Sequence, residues 1–216
     1  MKKSLEKLIK QADIVFWDFD GVIKDSVEAK SVAFEELFSS YGKDLAAKVR
    51  QHHEKNGGVS RFEKIPLYLS WSKEVFSDEK VQRLYSKFSL LTRQSVINSP
   101  WVDGFLEFAE RLHKKKKYIL ITATPLEEIK EILHELNIQH LFYKVYGAPD
   151  AKSDVISKTL REMKASPQNA IMLGDSTSDY RAAKDNGILF LLRSTKLNKS
   201  LQNECKNWTF KDFINE

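Results

Sequence analysis

The sequence lacks the features that mark secreted and membrane-spanning proteins. Its one cysteine, Cys205, excludes a disulfide within the chain and a CxxC metal site. No apolar run approaches the roughly 18 residues of a membrane span. Residues 1–11 are charged, with a helical pattern, and do not contain the apolar core of a signal peptide. We therefore expect a cytoplasmic protein that does not bind a membrane.

The chain carries a modest excess of positive charge, with a net charge of +5 and a pI near 9.1. Such an excess suits small anionic substrates, and it could also attract nucleic acid. The longest basic run, residues 114–117, closes a helical segment, where cations favour the helix dipole. No RNA-binding motif or zinc finger accompanies it. We expect no nucleic-acid partner; the alternative predicts binding that weakens steeply with salt.

Short apolar runs alternate with segments of helical spacing over most of the chain. This order predicts an α/β fold with a Rossmann-like parallel sheet. Continuous apolar runs are typical of strands buried on both faces. The runs are residues 14–17, 118–121, 142–146, 170–173 and 188–192.

The alternation stops between residues 25 and 99, which contain no convincing strand. They read as four helices, at 27–41, 44–55, 61–69 and 78–96. A connection of this length normally forms a subdomain of its own. We therefore predict an α/β core of residues 1–24 and 100–216 and an inserted all-helical cap of residues 25–99. The alternative is one helix-rich domain.

The first strand ends in a pair of acids, Asp18 and Asp20, followed by Gly21. Residues two apart on an extended chain point the same way, so both carboxylates can face one small volume. Two acids so close repel each other unless a cation or a proton lies between them. The pair fits Mg²⁺-assisted phosphoryl transfer, with one nucleophile and one acid/base. The alternative is a strand end with two solvated aspartates.

The other predicted strands also end in residues suited to a phosphate or a metal. Open α/β sheets bind ligands at these ends. Thr122 offers a hydroxyl, and the amides from Ala123 onward lead into a helix N-terminus that favours anions. Lys152 can neutralise phosphate charge, and Asp175 and Asp179 add hard oxygens for Mg²⁺. Taken singly, Thr122 and Asp175 could be helix caps, Lys152 a loop lysine and Asp179 a surface acid.

Together these motifs resemble the haloacid dehalogenase-like (HAD) hydrolase superfamily, in the branch with a helical cap. The D-x-D-G-V motif is residues 18–22, and the acidic G-D-S-x-x-D motif is residues 174–179. The second motif ends in Thr122, and the lysine motif falls on Lys152. Relatives often have prolines after that lysine, which this chain lacks, so Lys158 is a second candidate.

The resemblance implies a covalent phosphatase mechanism with Mg²⁺ as cofactor. Asp18 would be the nucleophile that forms an aspartyl-phosphate. Asp20 would be the acid/base and would bind Mg²⁺ through its backbone carbonyl. Asp18, Asp175 and Asp179 would supply carboxylates to the metal. Dehalogenases of the superfamily lack an acid at the position of Asp20, so its presence indicates phosphate esters; an alkoxide leaving group also needs a proton.

The segment 52–64 of the predicted cap combines a flexible turn with several basic residues. We expect Arg61 to contact substrate, because guanidinium binds anions in a bidentate manner; a helix–helix turn with solvated basic residues is the alternative. The residues 58–61 resemble the cap of sugar phosphomutases, some of which have a histidine where this chain has Lys30. We predict a phosphatase of a small phosphomonoester, a sugar phosphate among the candidates, acting as a monomer or homodimer. A phosphomutase and a non-catalytic binding protein are the alternatives.

Overall fold

The computed structural model describes residues 4–72, 74–206 and 208–214. A long helical segment follows the first strand, and beyond it helices and strands alternate. In chain order the elements are α1 (Leu5–Gln11), β1 (Ile14–Trp17), α2 (Val27–Leu37), α3 (Lys43–Lys55), α4 (Arg61–Trp71), α5 (Asp78–Asn98), α6 (Phe105–Leu112), β2 (Lys117–Pro125), α7 (Leu126–Glu135), β3 (Lys144–Ala148), α8 (Lys152–Glu162), β4 (Ala170–Gly174), α9 (Thr177–Asp185), β5 (Leu189–Arg193), α10 (Lys199–Glu204) and β6 (Thr209–Phe210).

The strands form one parallel sheet in the order β3-β2-β1-β4-β5-β6. In β1, Trp17 pairs with Leu120 of β2 and with Leu173 of β4. This register brings the carboxyl ends of the three central strands to one edge. The predicted fold class, a Rossmann-like parallel sheet with helices, is confirmed.

Helices cover both faces of the sheet, and each face buries its own apolar cluster. One cluster contains Trp17, Leu120 and Leu173, and the other contains Phe16, Ile119 and Met172. Successive residues of one strand thus enter opposite layers, as strand geometry requires. Burial on both faces explains why these strands read as continuous apolar runs.

The helices α2–α5 have a separate apolar cluster, which includes Phe34, Tyr68 and Phe88. The chain enters and leaves this helical segment at neighbouring points: the Asp25 amide donates to the Pro100 carbonyl at 2.9 Å. We call residues 25–99 the helical insertion. Its own apolar cluster and its paired connections support the predicted division into a core and a cap.

The C-terminal segment packs onto the core and contributes the short strand β6, which the sequence pattern did not predict. Phe213 lies against Trp17, Phe105 and Phe108, with ring centroids 5.1 to 5.8 Å apart. The aromatic residues of this tail thus serve the core, while Trp208 stays 40% exposed. At the other end, α1 confirms the predicted N-terminal helix, whose residues 1–3 lie outside the described part. No described helix combines the length and apolarity needed to span a bilayer.

Candidate active site

The carboxyl edge of the sheet gathers the acidic residues that the sequence analysis selected. Asp18 follows β1 directly, and its amide donates to the Leu173 carbonyl of β4 at 2.9 Å. Asp175 follows β4, and Asp179 lies in the first turn of α9. Carboxylate oxygens of these three aspartates lie within 4.8 Å of one another. Residues more than 150 positions apart in the chain thus share one small volume.

A buried lysine holds two of the three carboxylates. The Lys152 ammonium, on the first residue of α8, donates to Asp18 Oδ1 at 2.8 Å and to Asp179 Oδ1 at 2.5 Å. Burial alone would lower the pKa of Lys152, but the charges of Asp179 and Asp18 outweigh burial and raise it. Lys152 is therefore a fixed positive charge beside Asp18. Lys158 is exposed and lies within 4.0 Å of Glu162 on the surface.

The carboxylate cluster carries more negative charge than one lysine balances. Burial, and then repulsion from Asp179, raise the pKa of Asp18 to about 7. Burial and the charge of Asp18 likewise raise the pKa of Asp175 well above its ordinary value. A divalent cation relieves such repulsion, and hard carboxylate oxygens are the ligands that Mg²⁺ binds in proteins. The donor set therefore fits a divalent metal.

Local structure fixes the two acids of the acidic motif at residues 174–179. The Asp179 carboxylate accepts from the Ser176 amide at 3.1 Å and from the Ser176 hydroxyl at 2.6 Å, which completes a capping box at the start of α9. The Asn198 amide donates to the Asp175 carbonyl at 2.8 Å. Gly21 (φ +73°) passes so close to Asp175 that an added Cβ would lie 2.2 Å from its Oδ2. Only glycine fits between the two motifs at that point.

Asp20 has partners of its own, which the sequence analysis did not predict. Its carboxylate forms an ion pair with Lys30 of α2 and accepts from the Ser26 hydroxyl at 2.6 Å. Lys30 also donates to the Thr124 hydroxyl at 2.8 Å. Burial alone would raise the pKa of Asp20, but Lys30 and Ser26 outweigh burial and hold it below its ordinary value. Asp20 is thus an ionised carboxylate beside the three-carboxylate cluster.

The helical insertion covers this edge of the sheet and encloses a cavity. The cavity is lined by Asp18, Asp20 and Asp175 from the core, and by Lys30, Phe34, His53 and Arg61 from the insertion. The turn between α3 and α4 touches the core directly: an added Cβ at Gly58 (φ +76°) would lie 2.5 Å from Ser176 Oγ. The insertion thus partly encloses the reacting groups and limits the access of water to them.

Arg61 lines the cavity wall, but its guanidinium is bound to protein groups. Two nitrogens contact the Glu128 carboxylate of α7 at 2.7 and 2.8 Å, and one lies 2.5 Å from the Ser89 hydroxyl. Arg61 is 4% exposed. The buried pair joins α4 of the insertion to α7 of the core. Glu128 and Ser89 were not predicted, because no local motif marks them.

The two remaining predicted residues, Thr122 and Ala123, lie in the C-terminal half of β2. Ala123 lines the cavity. Thr122 is buried, and its hydroxyl accepts from the Thr124 amide at 3.2 Å. The sequence analysis named Lys30 as a cap residue but gave it no role toward Asp20.

Comparison with known proteins places this geometry in a family. The family model for haloacid dehalogenase-like hydrolases matches residues 15–192 of this chain. A phosphorylated carbohydrates phosphatase of Thermotoga maritima is 27% identical over 182 residues, 82% of each chain. A phosphoglycolate phosphatase of Vibrio cholerae is 24% identical over 189 residues, 83% of each chain. Among solved structures, β-phosphoglucomutase of Clostridium difficile shares the fold, with a TM-score of 0.75 and 19% identity over 94% of this chain and 92% of that one.

Proposed function

Because the chain belongs to the haloacid dehalogenase-like hydrolase family, we propose that it is a Mg²⁺-dependent phosphatase of a small phosphomonoester. The observation that carries the proposal is the position of Asp18, which is buried, has an ammonium 2.8 Å from one of its oxygens and lines a partly enclosed cavity. The phosphatases named among its relatives support a phosphorylated carbohydrate or a similarly small ester as substrate. We also propose a cytoplasmic location and action as a monomer or homodimer.

In the proposed first step, an Asp18 carboxylate oxygen attacks phosphorus and forms an acyl-phosphate bond. The ester bond from phosphorus to the leaving oxygen breaks, and that oxygen takes a proton from Asp20. Lys152 lies beside the attacking carboxylate and offsets the negative charge of the phosphoryl group. The backbone amides after Thr122 offer donors to the phosphoryl oxygens.

In the second step, Asp20 takes a proton from water, and the resulting hydroxide attacks phosphorus. The bond to the Asp18 oxygen breaks, so that orthophosphate leaves and the free carboxylate is restored. Lys30 holds Asp20 ionised, which is the state that this step needs. The same contact must loosen before Asp20 carries a proton in the first step.

The metal would be held by the carboxylates of Asp18, Asp175 and Asp179 and by the backbone carbonyl of Asp20. When bound, Mg²⁺ acts as a Lewis acid that offsets the negative charge of the phosphoryl oxygens. The raised pKa values of Asp18 and Asp175 support this assignment, because they show an acidic cluster that needs further positive charge.

Hydrolysis is favoured over the phosphomutase alternative by the state of Arg61. In the sequence analysis this arginine was a candidate for a substrate contact, and in a mutase cap it would hold a second phosphate. Its guanidinium here makes two contacts with Glu128 instead. A group already paired with a carboxylate binds a second anion only after that pair breaks. We keep Arg61 as a proposed substrate contact, one that forms only after its pair with Glu128 has broken.

The test measures phosphate release from sugar phosphates, phosphoglycolate and nucleotides, with Mg²⁺ and with EDTA. We expect Mg²⁺-dependent release that is lost in Asp18→Asn and in Asp20→Asn. Asp185→Asn, an exposed aspartate at the end of α9, is the matched control and should keep activity. Full activity in Asp18→Asn would refute the assignment of the nucleophile. Release that requires priming by a sugar bisphosphate would identify a mutase.

A further inference from the structure

The helical insertion contains a buried lysine–histidine pair that the proposed mechanism does not use. Lys64 of α4 lies 2.9 Å from His53 of α3, measured from Nζ to Nδ1. Lys64 is 1% exposed and His53 is 7% exposed. In the described part of the chain, no carboxylate lies within 4.0 Å of the Lys64 ammonium. A buried ammonium whose closest partner is a neutral ring is costly, which calls for a functional reason.

Packing fixes the orientation of both groups. The His53 ring lies against the Phe34 ring, with centroids 4.7 Å apart. The Lys64 ammonium lies 5.8 Å from the centroid of the Phe34 ring. Phe34 and His53 line the same cavity as Asp18, whereas Lys64 does not line it. The histidine is therefore the member of the pair that a ligand in the cavity can contact.

The pair determines which nitrogen of His53 carries a proton. Below the Lys64 pKa of about 7 the side chain is an ammonium, which can only donate, so Nδ1 accepts the hydrogen bond from Lys64. In a neutral ring the proton then resides on Nε2. Burial, together with the nearby charges of Lys64 and Lys30, lowers the pKa of His53 well below its ordinary value and keeps the ring neutral. His53 thus presents an N–H donor, and Nε2 is the nitrogen left for the cavity.

Three other charged groups of the insertion that line the cavity are already paired: Lys30 binds Asp20, Arg61 binds Glu128, and Glu54 binds Arg50 at 3.0 Å. Lys55 also lines the cavity and has no ion pair among the described residues. The Nε2–H of His53 has no such partner among the described residues. His53 lines the side of the cavity that the insertion forms, and Asp18, Asp20 and Asp175 line the side that the core forms. An ester whose phosphate binds at Asp18 would extend its alcohol portion into this cavity.

We infer that His53 determines substrate specificity by donating a hydrogen bond from Nε2 to an oxygen of the substrate's alcohol portion. Lys64 is its positioning residue: it holds the tautomer and adds positive charge behind the ring. The oxygen can belong to a sugar hydroxyl or to a carboxylate, both of which accept hydrogen bonds. This inference rests on the proposed phosphatase function.

The kinetic test compares three esters on the full-length protein: a hexose phosphate, phosphoglycolate and phenyl phosphate. Phenyl phosphate has no oxygen on its leaving group beyond the ester itself. In His53→Phe, which keeps a ring and removes the donor, we expect kcat/KM to fall about ten- to a hundredfold for one or both of the first two esters. For phenyl phosphate we expect a change within about twofold. A loss on the hexose phosphate alone indicates that His53 donates to a hydroxyl, and a loss on phosphoglycolate alone indicates that it donates to a carboxylate.

Matched variants separate the donor from general effects on the insertion. His52→Phe changes the neighbouring histidine, which contacts Tyr68 at 3.0 Å and does not line the cavity, so it should leave the substrate preference intact. Lys64→Met should reproduce the selective loss, and Lys64→Arg, which keeps a donor, should restore part of it. An equal loss on all three esters, or no loss on any, would overturn the inference.

A spectroscopic test is independent of turnover and needs no variant to fold well. Nitrogen-15 NMR of the imidazoles, below the pKa of about 7 that burial imposes on Lys64, should show His53 neutral with Nδ1 unprotonated. A doubly protonated ring, or one protonated on Nδ1, would refute the inference. Calorimetry of the same esters binding to Asp18→Asn, with and without His53→Phe, measures the substrate preference in binding, independently of turnover. If the wild type released no phosphate at all, the proposed function would fail, while these measurements would still test His53.

Discussion

The repulsion among the site carboxylates should make the folded protein more stable when one of them is neutralised. Asp18→Asn is the sharpest perturbation, because Asp18 is buried and faces both Asp175 and Asp179. In EDTA we expect this substitution, which abolishes the proposed activity, to raise the free energy of unfolding. A gain in stability from the loss of a proposed catalytic residue is a signature of a strained charge cluster.

The magnitude follows from the pKa of Asp18. Burial and the charge of Asp179 raise this pKa from 3.8 to about 7. Each unit corresponds to about 1.36 kcal/mol, so above neutral pH the ionised carboxylate costs the folded protein on the order of 4 kcal/mol. The raised value already includes the attraction of Lys152. We therefore expect a gain of up to about 4 kcal/mol in Asp18→Asn.

The raised pKa of Asp18 also fixes the direction in which the free energy of unfolding changes with pH. Between pH 3.8 and about 7 the folded protein keeps a proton on Asp18 that the unfolded chain has released. Wild-type stability should therefore fall as pH rises through this window, by up to about 1.36 kcal/mol per pH unit for this group. Asp18→Asn lacks that titration, so the two stability curves should separate with rising pH.

The assay is urea denaturation of wild type and Asp18→Asn across this pH window, in EDTA and in Mg²⁺. Mg²⁺ at a hundredfold excess over its Kd should add about 2.7 kcal/mol to the wild type, and less to the variant. Asp185→Asn is the control and should follow the wild type. Parallel pH curves, or a variant less stable than the wild type throughout, would refute the repulsion.

Three further predictions concern contacts around the site and the core. Lys30→Met should raise the pKa of Asp20, because Lys30 holds that pKa down. The alkaline limb of the pH profile of kcat/KM should then move to higher pH, because the first step needs a protonated acid. An unmoved limb would show that Lys30 does not set the pKa of the acid in this step. Glu128→Gln leaves the Arg61 charge buried without its carboxylate and should lower the free energy of unfolding by about 3 to 5 kcal/mol, with Glu128→Gln/Arg61→Met recovering part of it in urea denaturation; additive losses would contradict the pairing. Phe213→Ala removes a buried ring from the core and should cost about 3 to 5 kcal/mol in the same measurement; a loss below about 1 kcal/mol would show that the tail does not stabilise the core.

The fold and the acidic centre could be read from local patterns. Strands buried on both faces give continuous apolar runs, and the residue after each run falls at one edge of a parallel sheet. Asp18, Lys152 and Asp175 were predicted for this reason, and the structure places them together. The strand β6 was missed because two paired residues leave no periodic signal.

The contacts of the helical insertion could not be read in this way. Lys30 and Thr124 are 94 positions apart, and Arg61 and Glu128 are 67 positions apart. Each of these pairs depends on how the insertion sits on the core. Nothing in the residues next to Glu128 marks it as the partner of an arginine.

The sequence by itself determined the order along the chain of strands β1–β5 and the helices between them, the acids at the carboxyl edge and the family to which the chain belongs. These depend on residue spacing along single elements, which backbone geometry converts directly into position. Tertiary structure alone decided that Lys30 binds Asp20, that Arg61 is paired with Glu128, and that Lys64 orients His53 toward the cavity. Such contacts form between elements, because burial forces each charged group to find a partner across the interface that buries it.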